Sequence, residues 1–245
     1  MKIHWRPFLA ALLLVVSLPG LAELPTDDSD WELQKDDAGI RIYTRDVPGS
    51  DFQAFKAVTD LDAPLENVIA VMANPKSCLD WVHGCIRSDS FDDENFNDRY
   101  AYSVNDLPWP AQDRDYVLHM ITTSDPETGE IDMQLNAEGG VRPDSEDYVR
   151  VDHSETLYRF LRNDDGTTHM IWIQHSEPNG ALPSWLVNSL AMDLPFKSLQ
   201  SLEKLAQQPR YQNHKILYDE KGHIVGVVLN KDSASVAKTD EDDAQ

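Results

Sequence analysis

Ile131-Asp132-Met133-Gln134-Leu135-Asn136-Ala137 alternates apolar and polar side chains, the pattern of a β-strand with one dry face and one wet face. A sheet of such strands must bury its dry side against another layer. The matching segment is residues 183–207. There Leu186, Leu190, Leu194, Leu199, Leu202 and Leu205 fall on roughly one helical stripe, and Pro183 stands at the first turn, where a helix tolerates it. Together the two segments predict an α+β fold in which one long helix covers an antiparallel sheet. Pro195, inside that helix, removes a backbone hydrogen bond and predicts a bend.

Working outward, residues 40–44 and 52–59 read as strands separated by the turn signal Pro48-Gly49. Asp62 as a capping acid, an early Pro64, and Leu65, Val68, Ile69 and Met72 at helical spacing predict a helix, followed by a helical turn over residues 75–81. Strands are expected near residues 86–91, 99–104, 115–123, 131–137, 148–160 and 168–174. Turn residues such as Asn163-Asp164-Asp165-Gly166 join them, which predicts a meander. Residues 215–218 and 223–229 flank Asp219-Glu220-Lys221-Gly222, a hairpin signal.

The chain has 245 residues, of which 41% are hydrophobic, enough to bury a core. Its 43 acidic residues against 21 basic ones give a net charge of −22. That excludes electrostatic binding to a nucleic-acid backbone and disfavours long adsorption on an anionic bilayer. Any membrane contact must be local, apolar and transient. Residues 1–22 carry Lys2 and Arg6, an apolar run, then Gly20 and Ala22 at the positions a signal peptidase reads, so cleavage before Glu23 is expected. The run falls short of the roughly 20 residues that span a bilayer, and no Cys follows Ala22 to accept lipid. The expected product is an exported protein, periplasmic in a Gram-negative cell or secreted, with a disordered acidic tail at 231–245.

Cys78 and Cys85 leave two readings open: a disulfide closing a small loop in an oxidising compartment, or two separate buried thiols. Metal-ligand C-x2-C spacing is absent, and neither a metal nor a cofactor is expected. The histidines do not assemble chemistry. Asp152-His153-Ser154 are neighbours on a strand and point to opposite faces, while His169 and His175 lie on the order of 20 Å apart along one. No catalytic residue is assigned.

Leu107-Pro108-Trp109-Pro110-Ala111-Gln112-Asp113-Arg114-Asp115-Tyr116-Val117 resembles the P-W-P then R-D-[YF]-V signature of START domains, the steroidogenic-acute-regulatory-protein-related lipid-transfer family. The resemblance keeps its order along the chain. Trp31, Gly39-Ile40 and Tyr43-Thr44-Arg45 are similar to the family's opening W and G-I-x-[IV]-Y-x-R; Trp81 and Cys85 to W-x3-C; Tyr148-Val149-Arg150 to Y-V-R. Glu177-Pro178-Asn179-Gly180-Ala181-Leu182-Pro183 with Trp185-Leu186-Val187-Asn188 is similar to D-P-x-G-x-[IL]-P-x-W-[LV]-V-N, with Glu177 in place of the usual Asp. Pro195 stands where the family also has a proline.

The resemblance implies a helix-grip fold at residues 23–208, a curved antiparallel sheet around the C-terminal helix with a hydrophobic tunnel between them. The hairpin at 209–230 would extend that domain. The function implied is to hold one lipid or other hydrophobic small molecule, and to transfer it between membranes. A cyclase-like helix-grip enzyme recruiting Arg150, Tyr102 or His119 is the alternative, and an adaptor with a vestigial cavity a third. The oligomeric state stays open. Ligand-binding candidates from the dry face and helix stripe are Tyr116, Leu118, Met120, Ile131, Met133, Leu135, Leu186, Leu190 and Leu194, each also readable as plain core. Arg150 either meets a head group inside the cavity or lies on the wet face. Leu107, Trp109, Leu182 and Trp185, beside prolines in loops that flank the tunnel mouth in the family, are the gate and membrane-contact candidates. The two tryptophans are equally readable as plugs of the core.

Overall fold

The computed structural model describes Leu24, Thr26 and residues 30–230, the side chains of 92–94 excepted. The leader read at 1–22 and the tail at 231–245 lie outside the described residues. Strands β1 (Glu32–Asp37), β2 (Ile40–Arg45) and β3 (Ala54–Leu61) are followed by helices α1 (Leu65–Met72) and α2 (Cys78–Trp81). Then come β4 (Cys85–Asn95), β5 (Asp98–Asn105), β6 (Arg114–Ser124), β7 (Ile131–Ala137), β8 (Val149–Arg150), β9 (His153–Arg162) and β10 (Thr168–Glu177). Helix α3 (Ser184–Ala206) and the hairpin β11 (His214–Tyr218) and β12 (Ile224–Leu229) complete the described chain.

One sheet runs in the order β1-β2-β3-β10-β9-β7-β6-β5-β4. The meander is borne out from β4 onward, but the sheet is larger than a meander. β10 pairs antiparallel with β3, Trp172 opposite Ala57, and so welds the first three strands to the rest. The strand expected over 148–160 is two pieces. Val149 and Arg150 pair parallel with Arg114 and Asp115 of β6, and β9 pairs with β7 and β10. The break at Val151 and Asp152 separates them; Val151 N–H still donates to the Asp115 carbonyl at 3.0 Å. β1 was not expected: Glu-Leu-Gln-Lys-Asp-Asp has no alternation, and it exists as an edge strand held by backbone pairing to β2.

Helix α3 lies across the dry face, as the leucine stripe predicts. Its Leu199, Leu202 and Leu205 join Ile131 and Met133 of β7, Phe160, Met170 and Trp172 in one core with α1. Each leucine so buried stabilises by on the order of 2 kcal/mol. Pro64, not Asp62, is the N-cap of α1, and it makes no side-chain cap. Asp62 instead meets the far end of α3: its N–H donates to Glu203 Oε2 at 3.0 Å and its carbonyl accepts from Gln207 Nε2 at 2.7 Å. The β11–β12 hairpin turns at Gly222, in the left-handed region at φ 87°. It packs on α1, with Ile224 wholly buried in the core and its N–H bonded to Ser124 Oγ at 2.8 Å. The extension is therefore seated on the domain.

Candidate functional site

Strand alternation sends Arg114, Tyr116, Leu118 and Met120 of β6 to the concave face and Asp115, Val117 and His119 to the other. The concave face and α3 do not close on each other completely. They leave two chambers, an outer one of about 480 Å³ under the first half of α3 and a deep one of about 140 Å³ beyond it. Asn105, Tyr116, Gln174 and Leu194 border both, so the chambers meet at these four residues. Leu186, Val187, Leu190 and Ala191 roof the outer chamber, with Phe55, Leu107 and Leu182 on its walls. Trp81, Leu118, Met120, Leu135, Tyr158 and Trp172 surround the deep one. Burial pushes the Tyr116 phenol up to about 12 and raises Tyr158 further, so both hydroxyls stay protonated.

Two loops frame the outer chamber. In one, Leu107 N–H donates to Asp113 Oδ1 at 3.2 Å, and the Trp109-Pro110 peptide is cis. In the other, Asn179 and Gly180 both have positive φ. Gly180 has a second reason to be glycine, since a Cβ there would lie 3.2 Å from Arg114 Nη2. Arg114 joins the loops. Its Nε donates to the Pro178 carbonyl at 2.8 Å, Nη2 to the Asn179 carbonyl at 2.7 Å, and Nη1 to the Gln112 carbonyl. Asn179 Nδ2 in turn donates to the Arg150 carbonyl at 2.9 Å.

Cys78 and Cys85 are bonded to each other across a Cα–Cα distance of 6.0 Å, which closes the disulfide reading of the pair. The bond ties α2 to β4 beside the tunnel, Cys78 bordering the deep chamber and Cys85 the outer. Inside the loop it closes, His83 N–H donates to Ser198 Oγ on α3 at 2.9 Å.

Of the predicted ligand-binding residues, the structure places Tyr116, Leu118, Met120, Leu135, Leu186, Leu190 and Leu194 on the chamber walls. Ile131 and Met133 share the face of Leu135 but are sealed in the core, because the strand dives under α3 and α1. Arg150 requires correction. It lies on the opposite face of the sheet, buried, with Nη2 2.7 Å and Nε 3.1 Å from the Asp115 carboxylate, and its Nη1 donates to the Gly139 and Arg142 carbonyls. Tyr102 donates to the same carboxylate at 3.1 Å. A charge with that many fixed partners is structural. Leu107 and Leu182 border the outer chamber, whereas Trp109 and Trp185 are 92% and 72% exposed, which removes the core-plug reading. Sequence reasoning missed Ser103, Ser154, Thr156, Tyr158 and Gln174 on the chamber walls. The signal existed for β9, where Ser154, Thr156 and Tyr158 share one face of the strand. Among the described residues no group of His, Cys, Asp or Glu is placed to hold a metal.

The comparisons with known proteins agree with this geometry. An uncharacterized protein of Pseudomonas aeruginosa is 32% identical over 200 residues, 82% of this chain and 95% of that one. The crystal structure of a STAR-related lipid transfer protein from Xanthomonas axonopodis is 26% identical, with a TM-score of 0.67 over 73% of this chain and 99% of that one. Human STARD10 shares the fold at 19% identity and a TM-score of 0.66, covering 76% of each chain. Residues 21–210 match the START domain, and with its helix-grip sheet, roofing helix and the chambers between them the chain belongs to that family.

Proposed function

We propose that this protein holds one lipid in the tunnel beneath α3 and carries it, without covalent change, between membranes of an exported compartment. The observation that carries the reading is the pair of confluent, largely apolar chambers, the larger about 480 Å³, within the range of small-molecule sites. Hiding apolar surface there is favourable at about 25 cal/mol per Å². Trp109 and Trp185, exposed beside Leu107 and Leu182, supply a local apolar contact that an acidic protein can make with a bilayer and leave quickly. The leader pattern at 1–22 and the Cys78–Cys85 bond support an oxidising compartment, periplasmic or extracellular.

Native mass spectrometry of the purified protein, before and after lipid extraction, tests the reading. A lipid released unchanged is expected. A converted product would favour an enzyme, and a consistently empty tunnel would remove ligand carriage. For the gate, Trp109→Ala is expected to slow lipid transfer between vesicles several-fold with folding intact. An unchanged rate would take Trp109 out of the membrane contact.

A further inference from the structure

The deep chamber differs from the outer one in its chemistry. His83, Asp106 and Arg114 border the outer chamber, whereas among the described residues no Asp, Glu, Lys, Arg or His side chain borders the deep one. Its polar wall is made of hydroxyls and amides and, apart from the Tyr116 phenol that borders both chambers, the hydroxyls fall into two groups. Ser77 Oγ donates to the Val71 carbonyl at 2.8 Å and Ser88 Oγ to the Pro75 carbonyl at 2.7 Å, so both are satisfied by the protein. Ser103, Ser154, Thr156 and Tyr158 are each at least nine-tenths buried, and among the described residues their hydroxyls have no protein partner. For Tyr158, burial alone acts on the phenol. Three of the four alternate along β9 and face the same void.

Buried hydroxyls without partners are costly, and the natural arrangement is that whatever fills the space completes them. An ionised group would find hydrogen bonds there but no countercharge.

The geometry points to a ligand class: a lipid whose uncharged polar end, a hydroxyl or carbonyl, enters the deep chamber to meet Ser103, Ser154, Thr156 and Tyr158, with its apolar body in the outer chamber. This rests on the tunnel being a lipid site and specifies what that site selects.

Dodecan-1-ol and dodecanoate are a matched pair for the test, read at pH 8 by the fluorescence of lipid-stripped protein, since Trp81 and Trp172 border the deep chamber. The alcohol is expected to bind at least tenfold tighter. Tyr158→Phe and Thr156→Val should each weaken the alcohol about fivefold, the worth of one hydrogen bond, with circular dichroism unchanged. Equal affinity for alcohol and carboxylate overturns the selectivity and leaves the tunnel a lipid site. Unaltered alcohol binding in both folded variants overturns the role of the hydroxyls. Failure of both probes to bind overturns this inference and the carrier reading together.

Discussion

Helix α3 is one leucine stripe with two different neighbours. From Ser184 to Leu194 no residue of the helix is buried, while Ser198, Leu199, Leu202, Leu205 and Ala206 beyond Pro195 all are. The second half is core: it meets α1, where Asn67 Nδ2 donates to the Ala206 carbonyl at 3.2 Å. The first half roofs the outer chamber, and a polar tether reaches it from the β2–β3 connection, where Gln53 N–H donates to Asn188 Oδ1 at 3.1 Å. The same side chain at the same helical spacing holds the fold together in one half and waits for a ligand in the other.

Equal truncations should therefore have unequal costs. Leu202→Ala, in the sealed half, is expected to lose about 3 kcal/mol, a fall in Tm of roughly 6–12 °C for a domain of this size. A loss below about 1 kcal/mol would put both halves on one footing. Replacing Cys78 and Cys85 by Ser should cost about 2 kcal/mol, the loop-closure value for a short loop. The loss should fall at the junction of the halves, since that loop bonds Ser198. Thermal melts of oxidised and substituted protein measure it, and free thiols in the denatured wild type would refute the bond.

Leu190→Ala, in the open half, should cost less than about 1 kcal/mol of stability but weaken lipid binding several-fold. A stability loss matching that of Leu202→Ala would mean the roof is core after all. The smallest effect should come from pH. His119 lies on the outer face with Nε2 2.7 Å from Asp98 Oδ1 and Nδ1 3.1 Å from Glu138 Oε1. The hydrogen bond to Asp98 chiefly raises its pKa above the ordinary 6.5. A raised folded pKa gives stability that is full below pH 6.5 and lost as pH rises through the folded value. Partial exposure holds this to a few tenths of a kcal/mol. His119→Gln should flatten that slope between pH 6 and 9 without moving lipid affinity; a change in affinity would tie the outer face to the tunnel.

Much of this architecture was legible before any coordinate. Alternation in β7 and the stripe of α3 fixed the two layers, and Asp219 to Gly222 marked the hairpin turn. What escaped follows from the kind of signal available. β1 has no apolar pattern because it is an exposed edge, and the β3 to β10 pairing depends on partners more than a hundred residues apart. In the site, periodicity reports a face and says nothing of depth: Met133 and Leu135 are two residues apart on one face, yet one is core and the other chamber wall. Hydropathy gives no help on β9 either: Ser154 and Thr156 are polar, yet they line the deep chamber. Arg150 was undecidable from parity because its partner Asp115 comes from another strand.

Arg114 has a kinetic consequence. Because one guanidinium grips the carbonyls of Gln112, Pro178 and Asn179, a single side chain joins the two loops at the mouth to each other. Neither can swing away alone without stranding donors that the other still needs. Loading and release should therefore pass through one concerted opening with a single rate constant, rather than through two flaps that leak independently.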